Sequence, residues 1–209
     1  MNIVILGPQG SGKGTQAKKL VEEFGFFYFE SGAFLRKLAK TNKEIDLVIN
    51  KEGRLLEDQE MFSLLKSHLN QENTYDNIMF DGYPRSIAQY HLLREFLQEH
   101  KSEVNLAILL DISEEETISR LSARRIDKNT GKIYNLITNP PPDNISEADL
   151  LQREDDQEEA IKTRLRAYSE VTEPLLEEFE RDGILTRVDG ERPIEVIYQD
   201  LKEIIKKIE

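Results

Sequence analysis

The 209-residue chain has no cysteine. Disulfides and thiolate zinc sites are therefore excluded. Histidine is scarce. His68, His91 and His100 are the three, each in a helical pattern and without the spacing of metal ligands. Positive charge is also short: Lys and Arg total 28 against 40 Asp and Glu, a formal net charge of −12. Such a chain attracts neither nucleic acid nor an anionic membrane through general charge. A polyanionic ligand would need a local cluster of arginines working against the overall field. Long apolar runs are missing too. The longest, Val104 to Leu110, is interrupted by Asn105 and has the length of a strand, far short of a membrane span. The chain enters its first apolar run at Asn2-Ile3 with no basic, signal-like segment, so the expected compartment is the cytoplasm. The length suits one α/β domain with insertions.

What is present starts at the N-terminus. The apolar run Ile3-Val4-Ile5-Leu6 leads into Gly7-Pro8-Gln9-Gly10-Ser11-Gly12-Lys13-Gly14-Thr15. A helical pattern then runs from Gln16 to Phe24, with Gly25 as its stop. Strand, glycine-rich turn and helix form the context of a phosphate-binding loop. Glycines let successive backbone N–H groups turn toward one anion. The helix start adds its positive dipole end. Lys13 supplies a mobile charge that can follow a phosphoryl group. The pattern G-x-x-x-x-G-K-[ST] fits through Lys13, but Gly14 follows and the hydroxyl comes one position later, at Thr15.

Further along, strands alternate with helices. Strands are expected at 26–29, 78–80, 104–112 and 184–188. Helices are expected over 32–39 (capped by Ser31), 44–51, 57–69, from Ser86 to about His100, and from Ser113 to Arg125 with a capping box to Glu116. A long helix opens at Asp155 and is kinked or broken at Pro174; a terminal one begins near Pro193. This alternation predicts a doubly wound parallel sheet, which binds ligands beyond the carboxyl ends of its strands. Periodicity fails between Ile126 and about Arg153. That length marks a lid, a binding loop or a disordered segment, with Ile133-Tyr134 beyond the Thr130-Gly131 turn reading as a small hairpin.

Six arginines stand out by position: Arg36, Arg85, Arg120, Arg124, Arg153 and Arg164. Arg85 ends the strand-terminal run Asp81-Gly82-Tyr83-Pro84-Arg85. Arg120 and Arg124 are one helical turn apart and would share a face. Asp155 and Asp156, beside Arg153, could fix clamp arginines in place. Phosphoryl transfer asks a protein mainly for alignment, water exclusion and charge on the migrating group's oxygens, and the planar arginine fork suits that work.

Taken together these pieces resemble the adenylate kinase family. The resemblance rests on the Lys-Gly-Thr ending of the glycine turn, Ser31-Gly32 with Leu35-Arg36, Gly53 to Leu56, Asp81 to Arg85 with Gln89, and Arg120 with Arg124-Arg125. It continues through Gly131 to Tyr134, Asn139-Pro140-Pro141, Arg153 with Asp155-Asp156 and Arg164, and Val188-Asp189-Gly190. The order is the family's and nearly the whole chain is covered. The resemblance implies a five-stranded parallel sheet with the P-loop in a core of residues 1–30, 57–123 and 156–209. It implies a nucleoside-monophosphate segment over 31–56 and a lid over 124–155. The implied reaction is ATP + AMP ⇌ 2 ADP with Mg2+. By it Gly10, Ser11, Gly12, Lys13, Gly14 and Thr15 hold the ATP phosphates, and Arg120, Arg124, Ile133, Tyr134 and Arg192 add ATP contacts. Ser31, Arg36, Arg54, Leu56, Gly82, Arg85 and Gln89 form the AMP site, joined by Arg153 and Arg164. Lys13, Arg85, Arg124, Arg153 and Arg164 stabilise the migrating group, and Asp81 holds magnesium through water. The bond before Pro84 can be cis, as in the family.

Departures from the family pattern are few. Ala33 stands where Asp is usual, Ser31 replaces Thr, and Arg54-Leu55-Leu56 replaces a Lys-(Leu/Ile)-Val pattern. The lid is long but lacks the four cysteines of the zinc-binding subset. Asp127 and Thr130 occupy positions of a zinc ligand or a polar pair, so a metal-free lid held by hydrogen bonds is expected, in a monomer. The alternatives are a kinase for another nucleoside monophosphate, one using GTP, or a P-loop ATPase or regulatory nucleotide-binding module. Four arginines beyond the loop (Arg36, Arg85, Arg153 and Arg164) weigh against the last pair, because one nucleotide does not need so many.

Overall fold

A computed structural model describes residues 1–48, 56–153 and 156–208. In chain order its elements are β1 (Asn2–Leu6), α1 (Lys13–Phe24), β2 (Phe27–Glu30), α2 (Ser31–Ala39), α3 (Lys43–Asp46), α4 (Asp58–Glu72), β3 (Ile78–Asp81), α5 (Ile87–Glu99), β4 (Val104–Asp111) and α6 (Glu114–Ser122). The short strands β5 (Arg124–Asp127), β6 (Ile133–Asn135) and β7 (Leu150–Leu151) follow, then α7 (Glu158–Ala167), α8 (Glu173–Arg181), β8 (Leu185–Asp189) and α9 (Ile194–Lys206).

Five strands form one parallel sheet in the order β2-β3-β1-β4-β8. The central strand β1 is buried along its whole length, as a strand covered by helices on both faces must be. Its side chains alternate between two cores. Val4 and Leu6 join Phe29, Phe80, Leu65, Leu93 and Phe179 beneath α4, α5 and α8. Ile3 and Ile5 join Met79, Ile108, Ala17, Leu20, Leu201 and Ile205 beneath α1 and α9. Helices on both faces make the sheet doubly wound, as the alternating pattern predicts. The order places the carboxyl ends of β3, β1 and β4 side by side, where the glycine turn, Asp81 and Asp111 emerge.

Several boundaries differ from the sequence expectation. Ser31 lies inside α2; the residue before the helix is Glu30, which makes no capping hydrogen bond, and Ser31 instead donates Oγ to the Gly82 carbonyl at 2.7 Å. The capping box at α6 is half formed. Ser113 Oγ accepts from Glu116 N–H at 3.2 Å, but Glu116 turns to Arg120 Nε at 2.6 Å, and the Ser113 N–H goes to Glu191 at 2.9 Å. The long helix before Pro174 is not continuous: α7 ends at Ala167, a wider turn covers Tyr168–Thr172, and Pro174 sits in the first turn of α8. That is where a residue without an N–H fits. The Tyr83–Pro84 bond is cis.

Candidate active site

Helix α6 stops at Ser122, and Arg124 opens β5. Arg120 and Arg124 therefore do not share a helical face, contrary to the sequence reading. The strand competes successfully because Arg124, Arg125 and Ile126 pair antiparallel with Asn135, Tyr134 and Ile133. With β7 this makes a three-stranded sheet, β6-β5-β7. Apart from Arg124 and Arg125, which the sequence pattern puts in the preceding helix, it lies within 126–153, where periodicity fails because strands of two to four residues are too short to show any.

At the carboxyl end of β1 the glycine turn takes its form from backbone conformations that side chains resist. Gly7, Gly10 and Gly12 have φ of 146°, 86° and 89°. A Cβ on Gly7 would stand 2.6 Å from the Leu110 carbonyl oxygen. Gly12 leads directly into α1, with Thr15 and Gln16 N–H bonded back to its carbonyl. The start of α1 therefore faces the turn with its positive end. Ser11 is buried, Gly10 and Gly14 are half-buried, and Thr15 is exposed.

Lys13 is half-buried, and its Nζ donates to the Pro8 carbonyl at 3.2 Å. Burial holds its pKa below the ordinary lysine value. The Asp81 charge opposes that shift, while Arg85, Arg124 and Arg164 add to it. Three guanidinium groups from three different segments thus act on one ammonium at the end of β1. Asp81 is 5% exposed, and burial raises its carboxyl above the usual range against the pull of Lys13. Tyr28 Oη donates to its Oδ2 at 2.8 Å. Arg85 is half-buried beside it, with Nε donating to the Gly82 carbonyl at 2.9 Å and its N–H to Gln89 Oε1 at 2.8 Å. Desolvation lowers its pKa, and the Arg164 and Arg36 charges push the same way.

Arg124 and Arg164 meet on one carboxylate. Asp156, 1% exposed, accepts from Arg124 Nε at 2.8 Å and Nη2 at 2.5 Å, and from Arg164 Nη2 at 3.3 Å. Asp155 and Arg54 lie outside the described residues, and Arg153 is half-buried. Arg120 reaches back to the glycine turn, donating to the Gly190 carbonyl at 2.9 Å and toward that of Gly10 at 3.5 Å. Arg192 pairs with Asp200 at 2.7 Å, and the structure does not bring it to the cation cluster.

On the opposite side Arg36 lies on α2, with Nη2 3.1 Å from Glu30 Oε1. Leu56 is buried in the core beneath α4 and α5. Gln89 is also buried. Its amide nitrogen donates to Asp58 Oδ1 at 2.8 Å, so both ends of its side chain are engaged. Ile133 is half exposed and Tyr134 is buried, with Lys132 Nζ 5.1 Å from the Tyr134 ring centroid. Sequence reasoning missed Tyr28, Glu30 and Asp58. Period-two alternation was the available signal for Tyr28: Phe27 and Phe29 pack in one core and Tyr28 in the other.

In the small sheet Asp127 is 4% exposed and accepts from Thr130 Oγ1 at 2.5 Å and Asn129 N–H at 2.9 Å. These bonds, Thr130's first, hold its carboxyl below the usual carboxylate range. Lys128 ties the same turn to Asp149, Nζ to Oδ1 at 2.8 Å. No group of three or more His, Cys, Asp or Glu able to hold a metal ion occurs among the described residues. Metal analysis of the purified chain is expected to find no stoichiometric zinc, with Thr130→Ala loosening the turn; one zinc per chain would overturn this.

Comparison with known proteins gives one consistent result. The profile of the adenylate kinase family matches residues 5–184. The adenylate kinase of Archaeoglobus fulgidus is 35% identical over 215 residues, covering 100% of this chain and 99% of that protein. That of Petrotoga mobilis is 35% identical over 213 residues, covering 99% and 98%. That of Methanosarcina acetivorans is 36% identical over 214 residues, covering 99% of each.

Proposed function

This chain belongs to the adenylate kinase family, and from that premise we infer that it moves the γ-phosphoryl group of ATP to AMP, reversibly, giving two ADP. The observation that carries the reading is the convergence of charge on Lys13, where Asp81, Arg85, Arg124 and Arg164 act together. Cations from four separate segments are costly to gather in one half-buried place. A transferring phosphoryl group with charge on three equatorial oxygens offsets that cost.

In this mechanism the ATP phosphates rest on the backbone of Gly10 to Thr15 and the start of α1. Arg120, Ile133, Tyr134 and Arg192 contact the rest of ATP. AMP lies between α2 and the turn after β3, against Ser31, Arg36, Arg54, Leu56, Gly82, Arg85 and Gln89. Lys13 follows the migrating group from donor to acceptor. Arg85, Arg124, Arg153 and Arg164 neutralise its oxygens, and alignment of the two nucleotides supplies the remaining acceleration. We assign residues 31–56 and 124–155 as the parts that close and keep water from taking the phosphoryl group, a role for which adenylate kinase lids are a general example.

Adenylate kinases use Mg2+ with ATP. Asp81, a buried carboxylate next to Gly14 and Lys13, fits a site reached through water, since hard cations prefer oxygen donors. When bound, the ion lowers the charge on the ATP phosphates. No helix among the described residues is long and apolar enough to cross a membrane. We take the enzyme as a cytoplasmic monomer that binds ATP, AMP and ADP and no nucleic acid, a reading supported by its net charge of −12.

The test supplies ATP-Mg with AMP, GMP, CMP and UMP separately and follows diphosphate formation. Strong turnover is expected with AMP. Turnover with another monophosphate in its place would move the acceptor, and ATP hydrolysis without any acceptor would sink the kinase reading.

A further inference from the structure

We propose that Glu30 tunes the acceptor site through Arg36: its carboxylate engages the guanidinium that the AMP phosphate must take, and so lowers acceptor affinity. The inference rests on the reading above, that Arg36 binds AMP.

Three observations carry it. Glu30 is the residue just before α2, a place where a short side chain such as Ser or Asp bonds the first free N–H groups of the helix. Here it makes no such bond and turns instead to Arg36, six residues on, Oε1 to Nη2 at 3.1 Å. Second, the guanidinium lies back over the first turn of the helix. A Cβ on Gly32 would be 3.0 Å from Arg36 Nη1 and 3.6 Å from Nη2, so the absence of a side chain there lets the fork dock. Third, Glu30 and Asp81 are register partners across β2 and β3, and the Glu30 charge acts on Asp81.

The electrostatic consequence follows. Arg36 and Arg85 repel each other in the empty site, since the Arg36 charge acts on Arg85. Glu30 offsets that repulsion until a phosphate arrives, after which its negative charge competes with the ligand's. It therefore stabilises the empty site at the expense of the occupied one. The pair is part exposed, 47% for Arg36 and 31% for Glu30, which keeps the effect modest: about two- to fivefold in affinity.

Glu30→Gln is expected to lower KM for AMP by about two- to fivefold, with KM for ATP unchanged and kcat equal or lower. Glu30→Ser, which cannot reach Arg36 as Glu does, should show the same fall. The Arg36→Gln background provides the control: there, adding Glu30→Gln should change the AMP KM no further, because the two residues act as one unit. An AMP KM that is unchanged or raised in both Glu30 variants would overturn the proposal while leaving the kinase reading intact. Failure of the unmodified enzyme to form ADP from ATP and AMP would instead overturn that reading.

Discussion

Lys13→Met is expected to abolish nearly all activity, lowering kcat by about 10³-fold or more, while the melting temperature holds or rises. The two halves of this result have one cause. Lys13 is a half-buried cation whose pKa burial depresses, with the charges of Arg85, Arg124 and Arg164 pressing in the same direction and only Asp81 opposing them. Removing it relieves repulsion among the remaining cations and leaves the flexible Met stem to fill the space. What is lost is a charge already aimed at the migrating group. Deleting one such preorganised donor costs about 10²–10³ in kcat, and a cation on a transferring phosphoryl group costs about 10³–10⁵. A lysine kept for structure behaves in the opposite way, since its loss lowers stability and spares turnover. Steady-state kinetics with ATP and AMP, alongside thermal unfolding of the same preparation, separates the cases. Activity within tenfold of the unmodified enzyme, or a clear fall in melting temperature, would remove Lys13 from the mechanism.

The sequence reveals those parts of this molecule in which a single residue type carries a single physical demand. The glycine turn is one, because Gly7, Gly10 and Gly12 adopt positive φ that other residues resist. The buried strands are another, since β1 and β4 bear apolar side chains toward both cores. Pattern fails where two partners compete for one side chain. Glu116 could have closed a capping box but takes Arg120. Ser31 could have capped α2 but bonds Gly82. Arg124 continues a helical pattern, yet antiparallel pairing with Asn135 claims it. Each choice is decided by residues distant in the chain, so local periodicity cannot report it. Within the candidate site the arginines could be picked out individually. The carboxylate that joins two of them could be given only as one of an acidic pair. Which side of α2 Arg36 faces, and that Glu30 holds it there, is not written in any spacing.

The second large effect falls on stability as well as rate. Asp156→Ala is expected to lower the melting temperature by about 6–12 °C and kcat by about 10²-fold. Asp156 is 1% exposed and accepts three hydrogen bonds from two arginines, a bidentate pair from Arg124 and one from Arg164. Arg124 begins β5 and Arg164 lies on α7, so the carboxylate fastens the small sheet to the core. Breaking a buried ion pair by removing one partner costs about 3–5 kcal/mol. The low end applies, because Arg124 and Arg164 are 17% and 23% exposed and water recovers part of their solvation. For a chain of this size about 3 kcal/mol corresponds to the stated shift. The rate falls because the two forks lose the carboxylate that aligns them, and a misaligned clamp loses the benefit of position. Arg164→Met should be milder on stability, since Asp156 keeps its two bonds to Arg124, yet comparable on kcat. That asymmetry is the decisive reading. A fall in melting temperature for Arg164→Met as large as for Asp156→Ala would mean that the arginine, and not the carboxylate, is the structural joint.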